Sequence, residues 1–351
     1  MSFFQILFRK KKLGESVILV DIGAEGIAGA YVRYEENQLP TLLYARRLPI
    51  EIRKDEAPER AMQRALDILC AELLREGAPT LKRATGSGTA TMIIVSIDAP
   101  WQETKVRTEV FESREPFTFT KNIVIKRLGE TAPASSGQII ADESIISTML
   151  NGYETHSPYG KKAHRASIVV LSSLIERKIA NDITSTLRKH FHGANILPIS
   201  GSSLRYQAMR KLFPHESDAV ILDATDESIL TVALIRKGIF SSLVQVTISL
   251  DADTWTNVIT NEFIEIAKNY QLPRTLFLLA REPQMAALKK MLDATDFGSI
   301  WLSGNPPKVV PVLASQMGSS IRQATAGSGD IVLLLMALFW KSRDELSEKI
   351  V

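Results

Sequence analysis

"AVILDATDESILTVALIRKG", residues 219–238, runs an apolar strand into a short polar turn and returns as a second strand. This is the outline of a hairpin whose turn could cradle phosphate, since successive backbone N–H groups in a tight turn form an anion-binding concavity. Yet the turn, residues 223–228, contains no glycine. A stretch near the N-terminus, "VILVDIGAEGIAGAYVRY" (17–34), has the same frame of apolar strand, aspartate, small residue, polar turn and returning strand. Its turn carries Gly23 and Gly26, which can reach φ > 0 and let the backbone approach an anion closely. The match predicts a duplicated βββαβα unit, and therefore an α/β protein built from two related halves.

Working outward, residues 16–52 alternate β-rich runs with turn signals and read as three antiparallel strands. Residues 55–77 have helical spacing, with Pro58 in the first turn and Gly77 at the end. "MIIVSIDAPW" (92–101) is a continuous apolar strand. From Gln102 to Arg165 the pattern changes: "TKVRTEVF" and "FTFTKNIVIKRL" are strand-like, "TAPASSGQ" is a linker and "ESIISTMLNGY" is short and either helical or extended. This segment reads as an insertion. Alternation resumes with a strand at 166–173, a helix at 174–191, a strand at 194–200 and a helix at 202–213. The second half repeats the theme: strands through Ser249, a helix at 252–270, a strand at 274–280, a helix at 282–294 and an edge strand, "GSIWLS", at 298–303. The expected organisation is a first lobe at 1–101, an insertion at 102–165, the first lobe again at 166–215, a second lobe at 216–315 and a return to the first lobe at 316–351.

Composition narrows the function classes. A chain of 351 residues exceeds one ordinary core. A net charge of +3 over 42 basic and 39 acidic side chains, without an arginine stripe, argues against a nucleic-acid partner. The single cysteine, Cys70, repeats with Leu66, Leu69 and Leu73 and reads as core, and one cysteine allows no internal disulfide. His190 and His192 lack a ligand constellation, so no structural metal is expected. The longest apolar run, "IVLLLMALFW" (331–340), is about half of what spans a bilayer and reads as a buried helix. The start, "MSFFQILFRKKK", places Phe3, Phe4, Leu7 and Phe8 before Arg9 to Lys12. It reads either as a short amphipathic foot on an anionic membrane or as an arm packed on protein.

Two acidic hairpin turns facing across a cleft can hold a nucleoside triphosphate: turn amides point at phosphate oxygens while two carboxylates hold Mg²⁺ through its waters. Asp21 and Asp223 are the candidates for that metal. The phosphate contacts would come from Gly23, Ala24, Glu25 and Gly26 in one turn and Ala224, Thr225 and Asp226 in the other. Asp226 and Glu227, however, place two further carboxylates where phosphate would sit, and these repel it. The other reading of Asp21 and Asp223 is that each bonds its own turn backbone.

The paired hairpins, the insertion after "IIVSIDAPW" and the segment "LNGYETHSPYGKKAHRASIVVLSS" (150–173) resemble the bacterial actin-like ATPases of the FtsA and PilM type. The resemblance covers most of the chain. It implies an actin-like fold of two RNase H-like lobes with an inserted subdomain of the IC type, and the cofactors ATP and Mg²⁺. "DIGAEGIAGA" matches the first phosphate motif at Asp21, Gly23 and Gly26, whereas the second motif keeps Asp223 and lacks its glycines. The adenosine loop would fall at Ala280 and Arg281, where "TLFLLA" leads into "REPQM" and the usual glycine pair is missing. The inserted subdomain implies partner contacts at Leu150, Asn151, Gly152 and Tyr153. The partner would be the cytoplasmic tail of a membrane protein or a division-ring protein, with self-association as a further mode. The expected role is a scaffold at the inner membrane face with little or no hydrolysis. A working Mg-ATP-dependent assembly ATPase stands beside it, and a sugar kinase of the same superfold lacks any marked base or sugar pocket.

Overall fold

The computed structural model describes residues 15–131, 137–155, 157–248, 252–298, 300–301, 307–324 and 329–348. The aromatic-basic start, with Phe3, Phe4, Leu7, Phe8 and Arg9 to Lys12, lies outside the described residues, as does the core of the "TAPASSGQ" linker.

The first half opens with β1 (Glu15–Ile22), β2 (Gly26–Tyr34) and β3 (Thr41–Pro49), paired antiparallel in sequence. Helices α1 (Pro58–Glu72) and α2 (Ala78–Thr85) follow, then β4 (Met92–Ile97), which pairs parallel with β1. The insertion comes next: β5 (Gln102–Thr118), α3 (Lys121–Glu130), β6 (Gln138–Leu150), β7 (Tyr153–Glu154) and β8 (Lys162–Glu176). Its strands form a separate sheet in the order β5-β8-β6-β7. After α4 (Arg177–His190), β9 (Asn195–Ser200) returns to the first sheet beside β4, and α5 (Gly201–Leu212) closes the half.

The second half repeats this plan with β10 (Ala219–Ala224), β11 (Ile229–Arg236), β12 (Ile239–Thr247), α6 (Ala252–Ala267), β13 (Thr275–Ala280), α7 (Glu282–Ala294) and β14 (Lys308–Pro311). Its order, β12-β11-β10-β13-β14, mirrors the order β3-β2-β1-β4-β9 of the first sheet. A short β15 (Arg322–Gln323) pairs with β3, and α8 (Ile331–Glu348) ends the described chain.

The apolar runs of β1 and β10 are continuous because both faces of each central strand are buried. On β1, Val17 and Leu19 face one core and Ile18, Val20 and Ile22 another. On β10, Ala219 and Ile221 share the core of Val17 and Leu19, while Val220 and Leu222 face away from it. That shared core also holds Leu204 and Ala208 of α5 and the buried 331–340 run of α8. The molecule is therefore layered, with α5 and α8 sandwiched between the sheets, α1 and α4 outside the first, and α6 and α7 outside the second. Among the described residues no helix is long and apolar enough to cross a membrane.

Four expectations change. "KNIVIKRLGE" (121–130) is a helix: the Thr120 hydroxyl accepts the Ile123 amide, and Val124 and Leu128, four apart, are buried. The strand expected at 166–173 belongs to the inserted sheet, because it continues β8, whose partners β5 and β6 are both insert strands. "GSIWLS" forms no edge strand over its described residues, since Trp301 packs on Phe263 and Phe297 and donates its Nε1 to the Pro273 carbonyl, and β14 takes the edge. Gly77 does not end a helix, because the chain turns on through it to Gly86, whose φ of 79° closes α2. Gly77 is needed for closeness instead: a Cβ there would lie 2.5 Å from the Tyr31 ring.

Candidate functional site

Alternation along the central strands aims the two leading aspartates. Residues 17 and 19 face the helix layer between the sheets, so residue 21 does too, and the same parity carries 219 and 221 to 223. Asp21 and Asp223 are both buried near the C-terminal ends of their strands, where open α/β sheets place ligand clefts. The cavity between them is lined by Asp21, Gly23, Arg47, Asp98, Arg205, Asp223, Thr225, Asp226, Thr231, Gln245 and Arg281, among others. It measures about 20 Å³, room for little more than a water molecule.

Side chains from both halves fill the cleft. Arg205, from the start of α5, donates to Asp98 at 3.0 and 2.6 Å and pairs with Asp223 through Nε. A bidentate guanidinium–carboxylate contact of this kind is among the stronger pairings in proteins. Gly201 makes room for it, since a Cβ there would fall 2.2 Å from Asp98 Oδ1. Arg47, on β3, donates to Asp21 at 2.9 Å and to Asp330 at 2.5 Å. Asp330 in turn caps α8 by accepting the Val332 and Leu333 amides. The other Asp223 oxygen, Oδ1, accepts the amide and hydroxyl of Thr225, a local turn bond.

The first turn is tight, with the Gly23 amide donating to the Gly26 carbonyl at 3.0 Å and the Gly23 carbonyl accepting from Trp101 Nε1 at 2.7 Å. The amides of Ala24 and Glu25, which would meet a phosphate, instead donate to Asp226 Oδ2 at 2.8 and 3.2 Å. Ser228 holds Asp226 Oδ1 through its amide and hydroxyl. Gly23 lets this carboxylate approach, as a Cβ there would meet Asp226 Oδ2 at 3.1 Å.

Burial pushes Asp21 above the usual carboxylate range, against the pull of Arg47 and Arg205, and one of its oxygens has no hydrogen-bond partner among the described residues. Burial likewise raises Asp98 to about 6 despite Arg205. Burial works to raise Asp330, and Arg47, the Leu333 amide and Arg281 together hold its carboxyl low. Both Arg47 and Arg205 are more firmly protonated than usual because their aspartates outweigh the cost of burial. Glu25 at the rim is raised by burial and by the like charges of Asp226 and Glu227. The cleft already carries four carboxylates against three arginines. A triphosphate would add negative charge, and its metal would meet carboxylates already committed to arginine. The residues as arranged do not fit a bound Mg²⁺ nucleotide.

The structure thus brings Asp21, the Gly23–Gly26 turn, Asp223, Thr225, Asp226 and Arg281 to one cleft. Ala224 and Ala280 lie buried side by side in adjacent strands behind it. Sequence reasoning missed Arg47, Asp98, Arg205 and Asp330. Three of them carry a signal: Arg205 interrupts the apolar residues of a buried helix, Asp98 immediately follows a wholly buried strand, and Asp330 immediately precedes an apolar helical run. Leu150, Asn151, Gly152 and Tyr153 lie apart, at the β6–β7 hairpin. Leu150 pairs with Tyr153 across a two-residue turn, with φ of 51° at Asn151 and 87° at Gly152. These positive angles are what an Asn-Gly hairpin turn supplies. Asn151 Oδ1 accepts the amides of His164 and Arg165, while the Tyr153 side chain stands 79% exposed.

Among solved structures the chain is similar to one of the PilM–PilN type IV pilus biogenesis complex, with a TM-score of 0.52 at 11% identity, covering 94% of this chain and 98% of that one. The chain has the actin-like ATPase fold. Weaker similarities include a Bacteroides thetaiotaomicron protein with an actin-like ATPase fold and unknown function (TM-score 0.43, 9% identity, 96% and 98% covered). Another is the cytoplasmic domain of EpsL, an inner-membrane component of the Vibrio cholerae type II secretion system (TM-score 0.40, 8% identity, 93% and 95% covered). No protein-family profile matches the sequence, and no curated protein does.

Proposed function

We propose that this protein is an actin-like scaffold of a membrane-associated assembly complex, working through protein contacts without turning over nucleotide. The observation that carries the reading is the filled cleft: a 20 Å³ cavity in which Asp226 takes the turn amides and Arg205 takes Asp98 and Asp223. Phosphoryl transfer needs donors and cations free to surround a γ-phosphate, and Arg47 and Arg205 are committed to Asp21, Asp98, Asp223 and Asp330. The whole-length likeness to a chain of a pilus biogenesis complex supports a pilus-type role over a division role. On this reading the protein acts at the cytoplasmic face of the inner membrane, and its inserted sheet meets the partner through the exposed Tyr153 hairpin.

The test is affinity purification of the tagged protein from detergent-solubilised membranes of its own host. Asp21→Ala should recover the wild-type set of partners, and Tyr153→Ala should lose a defined member of it. Loss of partners in Asp21→Ala, with Tyr153→Ala unaffected, would overturn the reading.

A further inference from the structure

The cleft contains a feature that a scaffold does not require. Asp226, from the second half, sits on the amides of Ala24 and Glu25 in the first half, more than two hundred residues away in sequence. Arg205 ties Asp98 of the first half to Asp223 of the second. Also across this side, Glu25 bonds the Ser228 hydroxyl, and the Tyr206 hydroxyl donates to the Gly238 carbonyl at 3.0 Å, with the Tyr206 ring edge-on to Phe240.

We propose that Asp226 is an internal anion that occupies the phosphate-binding turn and, together with Arg205, latches the two halves closed. A turn that aims two adjacent amides at one point is built to hold an anion, and a hydrogen bond to a charged acceptor is worth more than one to a neutral group. The Asp226 carboxylate supplies that acceptor at 2.8 and 3.2 Å. Its geometry is fixed from behind, since Oδ1 is held by the Ser228 amide and hydroxyl while Oδ2 points across the cleft. The missing side chain at Gly23 gives the carboxylate its seat. A bound anion that bridged both turns would hold the halves together by the same contacts. Here the chain provides the anion itself, so closure is the resting state and opening requires the carboxylate to leave. Strands β5 and β6 of the inserted sheet also touch β12 of the second half, so opening would part that contact as well.

This inference rests on the filled-cleft reading and is tested separately from it. Residue-resolved hydrogen exchange would compare the full-length protein with Asp226→Ala and with the isosteric Asp226→Asn. Spin labels at Glu36→Cys and Asn269→Cys, one in each half, would report the distance between halves. Cys70 is buried, and burial pushes its thiol up to about 12, so it stays unlabelled. Exchange at Ala24 and Glu25 should rise about ten-fold or more in Asp226→Ala, the worth of a charge-assisted hydrogen bond. It should rise less in Asp226→Asn, whose single carbonyl oxygen can serve the turn amides only as a neutral acceptor and only by giving up the Ser228 amide. The label distance should lengthen or broaden in both variants. Exchange within two-fold of wild type in folded Asp226→Ala, or an unchanged distance distribution in that variant, would overturn the latch. Binding of Mg-ATP to the wild type would instead overturn the filled-cleft reading, leaving the exchange result to judge the latch.

Discussion

Removing Arg205 is the sharpest perturbation of the cleft. Its side chain is 6% exposed, and those of its partners Asp98 and Asp223 are 15% and 7% exposed. Substitution Arg205→Met keeps much of the side-chain volume while leaving two buried carboxylates facing each other near Asp21. Breaking one partner out of a buried ion pair costs about 3–5 kcal/mol, because the stranded charge has lost its water and gains no counter-charge. With an unfolding entropy of about 2.1 cal/mol/K per residue, a chain of this length loses roughly 4–7 °C in Tm, measured by scanning calorimetry at pH 7.5. The loss should shrink at pH 5, since protonation removes the repulsion. Adding Asp98→Asn and Asp223→Asn to Arg205→Met should recover at least half of it, because the buried charges then go together. A single-variant shift below about 1 °C, or no recovery in the triple variant, would refute the assignment of Arg205 as the counter-charge of the cleft.

Asp142 gives a pH test away from the cleft. Buried on β6, it accepts the Ser200 amide at 3.2 Å, and burial raises its carboxyl from 3.8 to about 7. The folded protein therefore holds a proton that the unfolded chain releases, and the stability from that proton is complete below about pH 3.8 and lost as pH rises to about 7. The slope is about 1.4 kcal/mol per pH unit, visible in urea midpoints between pH 4.5 and 7, and it should flatten in Asp142→Asn. An identical slope in the variant would place the titration elsewhere. Gly77→Ala should destabilise by about 1–3 kcal/mol, although alanine is the better helix former, because its Cβ would lie 2.5 Å from Tyr31 and 3.1 Å from Tyr44; a neutral or stabilising thermal melt would show that these rings yield. Tyr153→Ala should leave Tm within about 1 °C, since the side chain is exposed, and a larger fall would mean the hairpin is structural.

The duplicated frame was legible because a central strand buried on both faces must be apolar throughout, so a single aspartate at its end stands out in both "VILVD" and "VILDA". The structure then turns Asp21 and Asp223, each on its own sheet, toward the shared inner layer. What occupies the space between them was not legible. Arg205 and Arg47 reach their aspartates across separations of 18 to 283 residues, and Asp226 reaches the first turn from the other half. The sequence showed that Asp226 would repel phosphate, and the structure adds that it takes the donors phosphate would need. The insertion was harder still, since "SIVVLSS" reads the same whether its neighbours are β4 and β9 or β5 and β6, and only non-local pairing decides between them. Gly77 misled because a glycine after a helical run usually marks its end, whereas this one makes room for Tyr31.

Calorimetric titration of the purified wild-type protein with ATP in excess Mg²⁺ tests the central claim most directly, because Asp226 and Arg205 occupy the amides and aspartates that a triphosphate and its metal would need. The account expects no binding heat at ligand concentrations approaching millimolar. One-site binding in the micromolar range, abolished by Asp223→Ala, would show that nucleotide displaces Asp226 and Arg205 and would contradict it.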